Sequence, residues 1–107
     1  MKLWVDDIRP APVPWTQPDG YYWAKSVNQA KRMIAEQEKY WPNDKLEVID
    51  IDHDAGDFAK DGGDYIKLLD WLEETGRNYP IRIHSMNPVG ITNMRRIIRR
   101  NGWKEVF

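Results

Sequence analysis

The pattern of residues along the chain points to a three-layer α/β domain: a mostly parallel sheet of about five strands with helices on both faces. Three features carry that expectation. Short apolar runs of strand length recur along the sequence, segments with apolar residues at helical spacing separate them, and several runs end in polar or acidic residues. Strands alternating with helices of roughly ten to fifteen residues imply right-handed crossovers, and hence strands that run in parallel.

The elements follow in order. Lys2-Leu3-Trp4-Val5, broken by Asp6-Asp7, reads as a buried first strand. IRPAPVPWTQPDG holds four prolines in thirteen residues and can be neither helix nor central strand, so it runs as an irregular surface loop. Tyr21-Tyr22-Trp23-Ala24 is an aromatic second strand. Ser26 and Gln29 have capping-box spacing and open a helix with Val27, Ala30, Met33, Ile34 and Trp41 on one side, ending near Pro42. VIDIDHDAG, from Val48 to Gly56, begins as a third strand, and the polar AGDFAKDGGD is a turn-rich connection. Tyr65, Leu68, Leu69 and Leu72 mark a second helix stopped by Gly76. Ile81 to Ser85 is a fourth strand, Met94, Ile97 and Ile98 mark a third helix ended by Gly102, and Trp103 to Phe107 forms a short edge strand.

A length of 107 residues is one domain's worth, and residues 1–107 are expected to form it. Sixteen basic against seventeen acidic residues leave no global attraction to nucleic acid or to a membrane. The absence of cysteine excludes disulfides and thiolate metal sites. With no signal-like or membrane-spanning stretch, a cytoplasmic location is expected.

Ligands of parallel sheets bind beyond the carboxyl ends of the strands. Asp6-Asp7, Asp52-His53-Asp54 and His84-Ser85 end three of the strands, so the most polar strand ends should meet on one rim. Four carboxylates within several ångströms repel one another by about a kilocalorie per mole or more per pair. A hard divalent cation such as Mg²⁺, protonation of one carboxyl, or local pairing in turns and with Arg9 would each relieve that repulsion.

LWVDD, a strand ending in Asp52 and another ending in Ser85 resemble the receiver domain of response regulators, a flavodoxin-like fold. The resemblance implies Asp6 and Asp7 as the acidic pair for Mg²⁺, Asp52 as phosphoacceptor, Ser85 as the phosphoryl-contacting hydroxyl, and Asp54 as the residue whose backbone carbonyl meets the metal. Two departures stand out. Lys104 sits at the wrong end of the last strand for the receiver lysine, and the proline-rich loop replaces the first helix. DDIRP, IDHD and HSMNPVG with Asn93-Met94 are similar to a narrower group, the cyclic-phosphate processing receiver domains. That likeness implies a small Mg²⁺-dependent phosphoesterase acting on the 2′,3′-cyclic phosphate of a nucleotide or RNA end. A phosphoacceptor or pseudo-receiver domain without hydrolase activity is the alternative.

The chemistry needs an in-line nucleophile, an acid, a base and positive charge on the phosphoryl oxygens. His53 and His84 are the acid–base candidates, and Asp52 the nucleophile or the base for water. Asp6, Asp7 and Asp54 would hold the metal, and Ser85, Asn87 and the NPVG backbone would contact the phosphoryl oxygens. Strand alternation sends His84 and Ser85, and likewise Asp52 and His53, to opposite faces, so either one histidine or a second lobe holding both completes the site. Arg9 is placed either to pair with Asp7 or to hold an anionic substrate. Arg95, Arg96, Arg99 and Arg100 form either a stripe for a nucleic-acid backbone or a solvated helix face. Trp4, Trp23 and Trp71 read as packing residues, whereas Trp15, in the loop near the rim, either stacks on a base or pins the loop.

Overall fold

A computed structural model describes all 107 residues. Five short strands, β1 (Lys2–Val5), β2 (Tyr21–Ala24), β3 (Val48–Ile51), β4 (Ile81–Ile83) and β5 (Glu105–Val106), form one sheet in the order β2-β1-β3-β4-β5. Every pairing is parallel. Three helices, α1 (Val27–Tyr40), α2 (Ile66–Glu74) and α3 (Pro88–Asn101), connect β2 to β5. The turn-rich stretch after β3 contains one short 3₁₀ segment, Gly56–Lys60.

The helices start and stop where local chemistry dictates. Ser26 caps α1 by accepting from the amide of Gln29, while the Gln29 side chain accepts from the amide of Lys25. Asn87 caps α3 through the Gly90 amide, and Pro88 follows at a position whose N–H would be unpaired in any helix. Gly102, in the left-handed region, ends α3. Trp41, expected on the buried side of α1, lies just past the helix and is 59% exposed, because the chain leaves helical geometry at that residue.

The helices do not cover both faces. Each helical crossover advances in the same direction along the strand order, and right-handed crossovers then place all three helices on one side. The core records this: Leu3, Val5, Ile49, Ile51 and Ile81 pack with Val27, Ala30 and Ile34 of α1, Leu68, Leu69 and Leu72 of α2, and Met94, Ile97 and Ile98 of α3. Each fully buried aliphatic side chain contributes about 1.5–3 kcal/mol. Trp4 and Asp50, which alternate with those strand residues, are buried on the opposite face and lie outside the cluster.

Only the β1-to-β2 connection advances the other way, and it is the proline-rich loop. The third layer at this end is therefore loop. Its Arg9 carbonyl accepts from Trp4 Nε1, and Trp23 Nε1 donates to the carbonyl of Asp6, both at 2.7 Å. The structure thus keeps the expected strand succession and corrects two boundaries. The fourth strand ends at Ile83, although the His84 amide adds one more bond to Ile51, and the last strand is only two residues long.

Candidate functional site

Asp6, Asp7 and Asp52 meet beyond the carboxyl ends of β1 and β3, each offering an oxygen within 4.8 Å of the others. Asp6 is the buried member, at 2% exposure. Its Oδ1 accepts from the amides of Ile8 (3.0 Å) and Arg9 (2.9 Å), and its Oδ2 from His84 Nε2 (2.9 Å). Burial pushes its carboxyl up, but those three donors together outweigh burial and hold it below the ordinary range. Asp6 therefore makes the turn that begins the loop.

Asp7 has the opposite setting. Burial, followed by the neighbouring charges of Asp6 and Asp52, raises its carboxyl above the ordinary value. No lysine or arginine pairs with Asp7 or Asp52. Gly56, at φ 53, brings its backbone so close that a Cβ there would lie 2.4 Å from Asp7 Oδ2. A side chain at that position would be strained and would also displace the carboxylate.

Three hard oxygen donors with unrelieved mutual repulsion suit a divalent cation. The cluster differs from the expected set in one member. Asp52 supplies the third side chain beside Asp6 and Asp7; the Asp54 carboxylate accepts from His53 Nδ1 at 2.8 Å, and the part expected of Asp54 was its backbone carbonyl.

The two histidines separate. His84 follows the strand alternation onto the face of Trp4, Asp6 and Asp50, where Nδ1 donates to Asp50 Oδ1 at 2.6 Å and Nε2 donates to Asp6 Oδ2. Trp4 stacks on its ring, with centroids 3.8 Å apart and planes 6° from parallel. Both ring nitrogens are thus engaged by carboxylates and one face is covered, while the ring borders the groove over the rim. His53 turns the other way, against the first turn of α3, where a Cβ on Gly90 would fall 2.4 Å from its ring. Its Nε2 has no hydrogen-bond partner in the protein and is not sealed from solvent.

A groove of about 530 Å³ runs over this rim, lined by Arg9, Asp52, Asp54, Ser85 and Asn87 among others. Arg9 is held through its backbone amide and carbonyl, yet its guanidinium makes no ion pair, so the expected alternative of pairing with Asp7 is not the one adopted. Ser85 Oγ accepts from the Asn87 amide at 3.1 Å, which leaves the hydroxyl hydrogen free. Lys104 is at the far end of the sheet, where its carbonyl accepts from the Ile81 amide.

A family model described as the cyclic-phosphate processing receiver domain matches residues 1–100. The chain belongs to that family. Neither the curated proteins nor the solved structures compared with it give a match. As a member of the cyclic-phosphate processing receiver family, the chain combines the parallel receiver-like sheet with an acidic cluster able to take a divalent ion. No helix is long and apolar enough to cross a membrane.

Beyond the rim, Arg95 pairs with Glu105 and Arg100 with both oxygens of Glu73, leaving only Arg96 and Arg99 of the arginine stripe unpaired. Trp15 stacks on Tyr22 and is 61% exposed. The sequence did not assign roles to Asp50, Trp4 and Trp23 at the site. The available signal was Asp50 itself, a carboxylate within the apolar run VIDI.

Proposed function

We propose that this chain is a small Mg²⁺-dependent phosphoesterase that opens the 2′,3′-cyclic phosphate of a nucleotide or RNA end. The observation that carries this reading is the meeting, in one groove, of Asp52 with the unpaired guanidinium of Arg9 and the free hydroxyl hydrogen of Ser85. Asp6, Asp7 and Asp52 would hold the cation, which when bound supplies positive charge against the phosphoryl oxygens.

In this reading Arg9 and Ser85 orient the phosphoryl group by charge-assisted and neutral hydrogen bonds. Asp52 takes the proton of a water whose oxygen bonds to phosphorus as the P–O bond to one ribose oxygen breaks. His53, oriented by Asp54 through Nδ1, gives a proton from Nε2 to that leaving oxygen, and the product is a phosphate monoester. His84 positions Asp6 and exchanges no proton with substrate. The distant Lys104 removes the residue on which receiver signalling relies, so hydrolysis is favoured over stable phosphoacceptance.

Phosphorus NMR of 2′,3′-cyclic nucleotides incubated with the protein and Mg²⁺ tests this. Conversion to the monoester, abolished in Asp52→Asn, is expected. No conversion of any cyclic nucleotide or cyclic-phosphate RNA end would overturn it.

A further inference from the structure

We propose that Asp50 is a positioning residue, fixing the ring of His84 and, through that ring, the Asp6 carboxylate of the cation cluster. The proposal rests on the reading of the rim as a cation site. It gives a role to a group the chemistry above does not use.

Asp50 is 1% exposed, in the middle of a strand whose other residues are Val48, Ile49 and Ile51. A valine there would extend the strand at no electrostatic cost, whereas a buried carboxylate is costly unless both oxygens find donors. Both do, and the two donors are unequal. Oδ2 accepts from Arg82 Nη1 at 3.2 Å, across the β3–β4 register, but the Arg82 side chain is 45% exposed. An ion pair with one partner that open to water is worth little. Oδ1 accepts from His84 Nδ1 at 2.6 Å, and that side chain is almost wholly buried.

The alternation of the strands explains what this bond does. Trp4, Asp50 and Arg82 form one row across β1, β3 and β4, while Asp6 and His84 stand two residues further along the same face. The imidazole reaches back to the first row with one nitrogen and keeps the other on Asp6. Trp4 fixes the plane of the ring by stacking, but stacking alone leaves open which edge faces which carboxylate. The Asp50 bond to Nδ1 settles it and aims Nε2 at Asp6 Oδ2. Since Asp6 Oδ1 is already held by the loop amides of Ile8 and Arg9, Asp50 completes the orientation of that carboxylate from its other side.

The test compares Asp50→Ala, Asp50→Asn and Arg82→Met in the full chain. The readouts are calorimetric affinity for Mg²⁺ and Mn²⁺, nitrogen NMR of the histidine rings in cation-free protein, and denaturant unfolding. Asp50→Ala is expected to weaken cation binding by about 10- to 100-fold and to shift the His84 ring signals. Arg82→Met, which removes only the other partner of Asp50, should change affinity by less than about threefold. Asp50→Asn keeps an oxygen that can accept from Nδ1 and should recover most of what Asp50→Ala loses.

Equal losses in Arg82→Met and Asp50→Ala would overturn the proposal, since Asp50 would then serve Arg82. Unchanged affinity and ring signals in a folded Asp50→Ala would do the same. Should that variant not fold, the wild-type protein decides, because a His84 Nδ1 proton that exchanges freely with water contradicts the assigned bond. A wild-type chain that binds neither cation sinks both this proposal and the cation reading. Cation binding without turnover sinks only the phosphoesterase.

Discussion

The two ends of the sheet treat carboxylates in opposite ways. At the amino end, a depression of about 460 Å³ is lined by Glu38, Asp44 and Tyr79 among others, with Arg77 alongside. Glu38 accepts from Arg77 Nε and Nη2 and from the Tyr79 hydroxyl. The Arg77 bonds hold its carboxyl below the ordinary range against the pull of burial, and burial with the Glu38 bond pushes the Tyr79 phenol up to about 12. Every charge in that network has a partner. At the carboxyl end Asp7 is raised and has no cation beside it, while the Arg9 guanidinium is left free. Of two concavities of similar size, the one whose charges are left unneutralised marks the chemistry more reliably.

The largest effect that would sharpen this contrast is on turnover. Asp52→Asn should lower the rate of cyclic-phosphate opening by about 10²–10⁴-fold, read by phosphorus NMR, with unfolding stability nearly unchanged. Gly90→Ala comes next, because the added methyl must move the His53 ring. A loss of about tenfold in turnover is expected there, with cation affinity retained, since the group it disturbs is the acid and not the cation cluster.

Smaller effects on stability should carry opposite signs at the two ends. Asp7 has a folded pKa above its ordinary value of 3.8, so its ionised form works against folding, and stability is regained as pH falls through the raised value. Asp7→Asn should therefore stabilise the cation-free protein near neutral pH by about 0.5–1 kcal/mol while weakening Mg²⁺ binding. Glu38 has a folded pKa below its ordinary value of 4.5, so its contribution is complete above that value and is lost as pH falls through the depressed one. Glu38→Gln should lower stability near pH 7 by no more than about 1 kcal/mol, discounted for partial exposure, and should flatten the acid limb of a denaturation series. If both variants shift stability in the same direction, the distinction between the two ends fails.

Much of this arrangement was legible in the residues. Valine, isoleucine and aromatic runs placed the strands, leucine spacing placed α2, and the acidic strand ends placed the rim. Alternation set His84 and Ser85 on opposite faces without deciding which of them shared a face with Asp6; the structure bonds His84 to Asp6. Alternation could not show that the ring would fold back to Asp50, because the reach of a side chain along a face depends on what covers that face. Here the covering group is Trp4, which the sequence marked only as packing. The one-sided placement of the helices was likewise hidden, since it follows from strand order, and strand order is set by contacts far apart in the chain. The bond of the Asp54 carboxylate to its immediate neighbour His53 was hidden as well, a loop geometry that periodicity does not describe.

The loop between β1 and β2 is tethered by the indoles of Trp4 and Trp23 and by two amides that converge on Asp6 Oδ1. Releasing the Ile8 and Arg9 amides leaves the Asp6 carboxylate held by His84 alone, so local fraying of the loop loosens that ligand. Those two N–H groups act as internal gauges. The rate at which they trade hydrogen for deuterium follows the integrity of the rim with no substrate or label present.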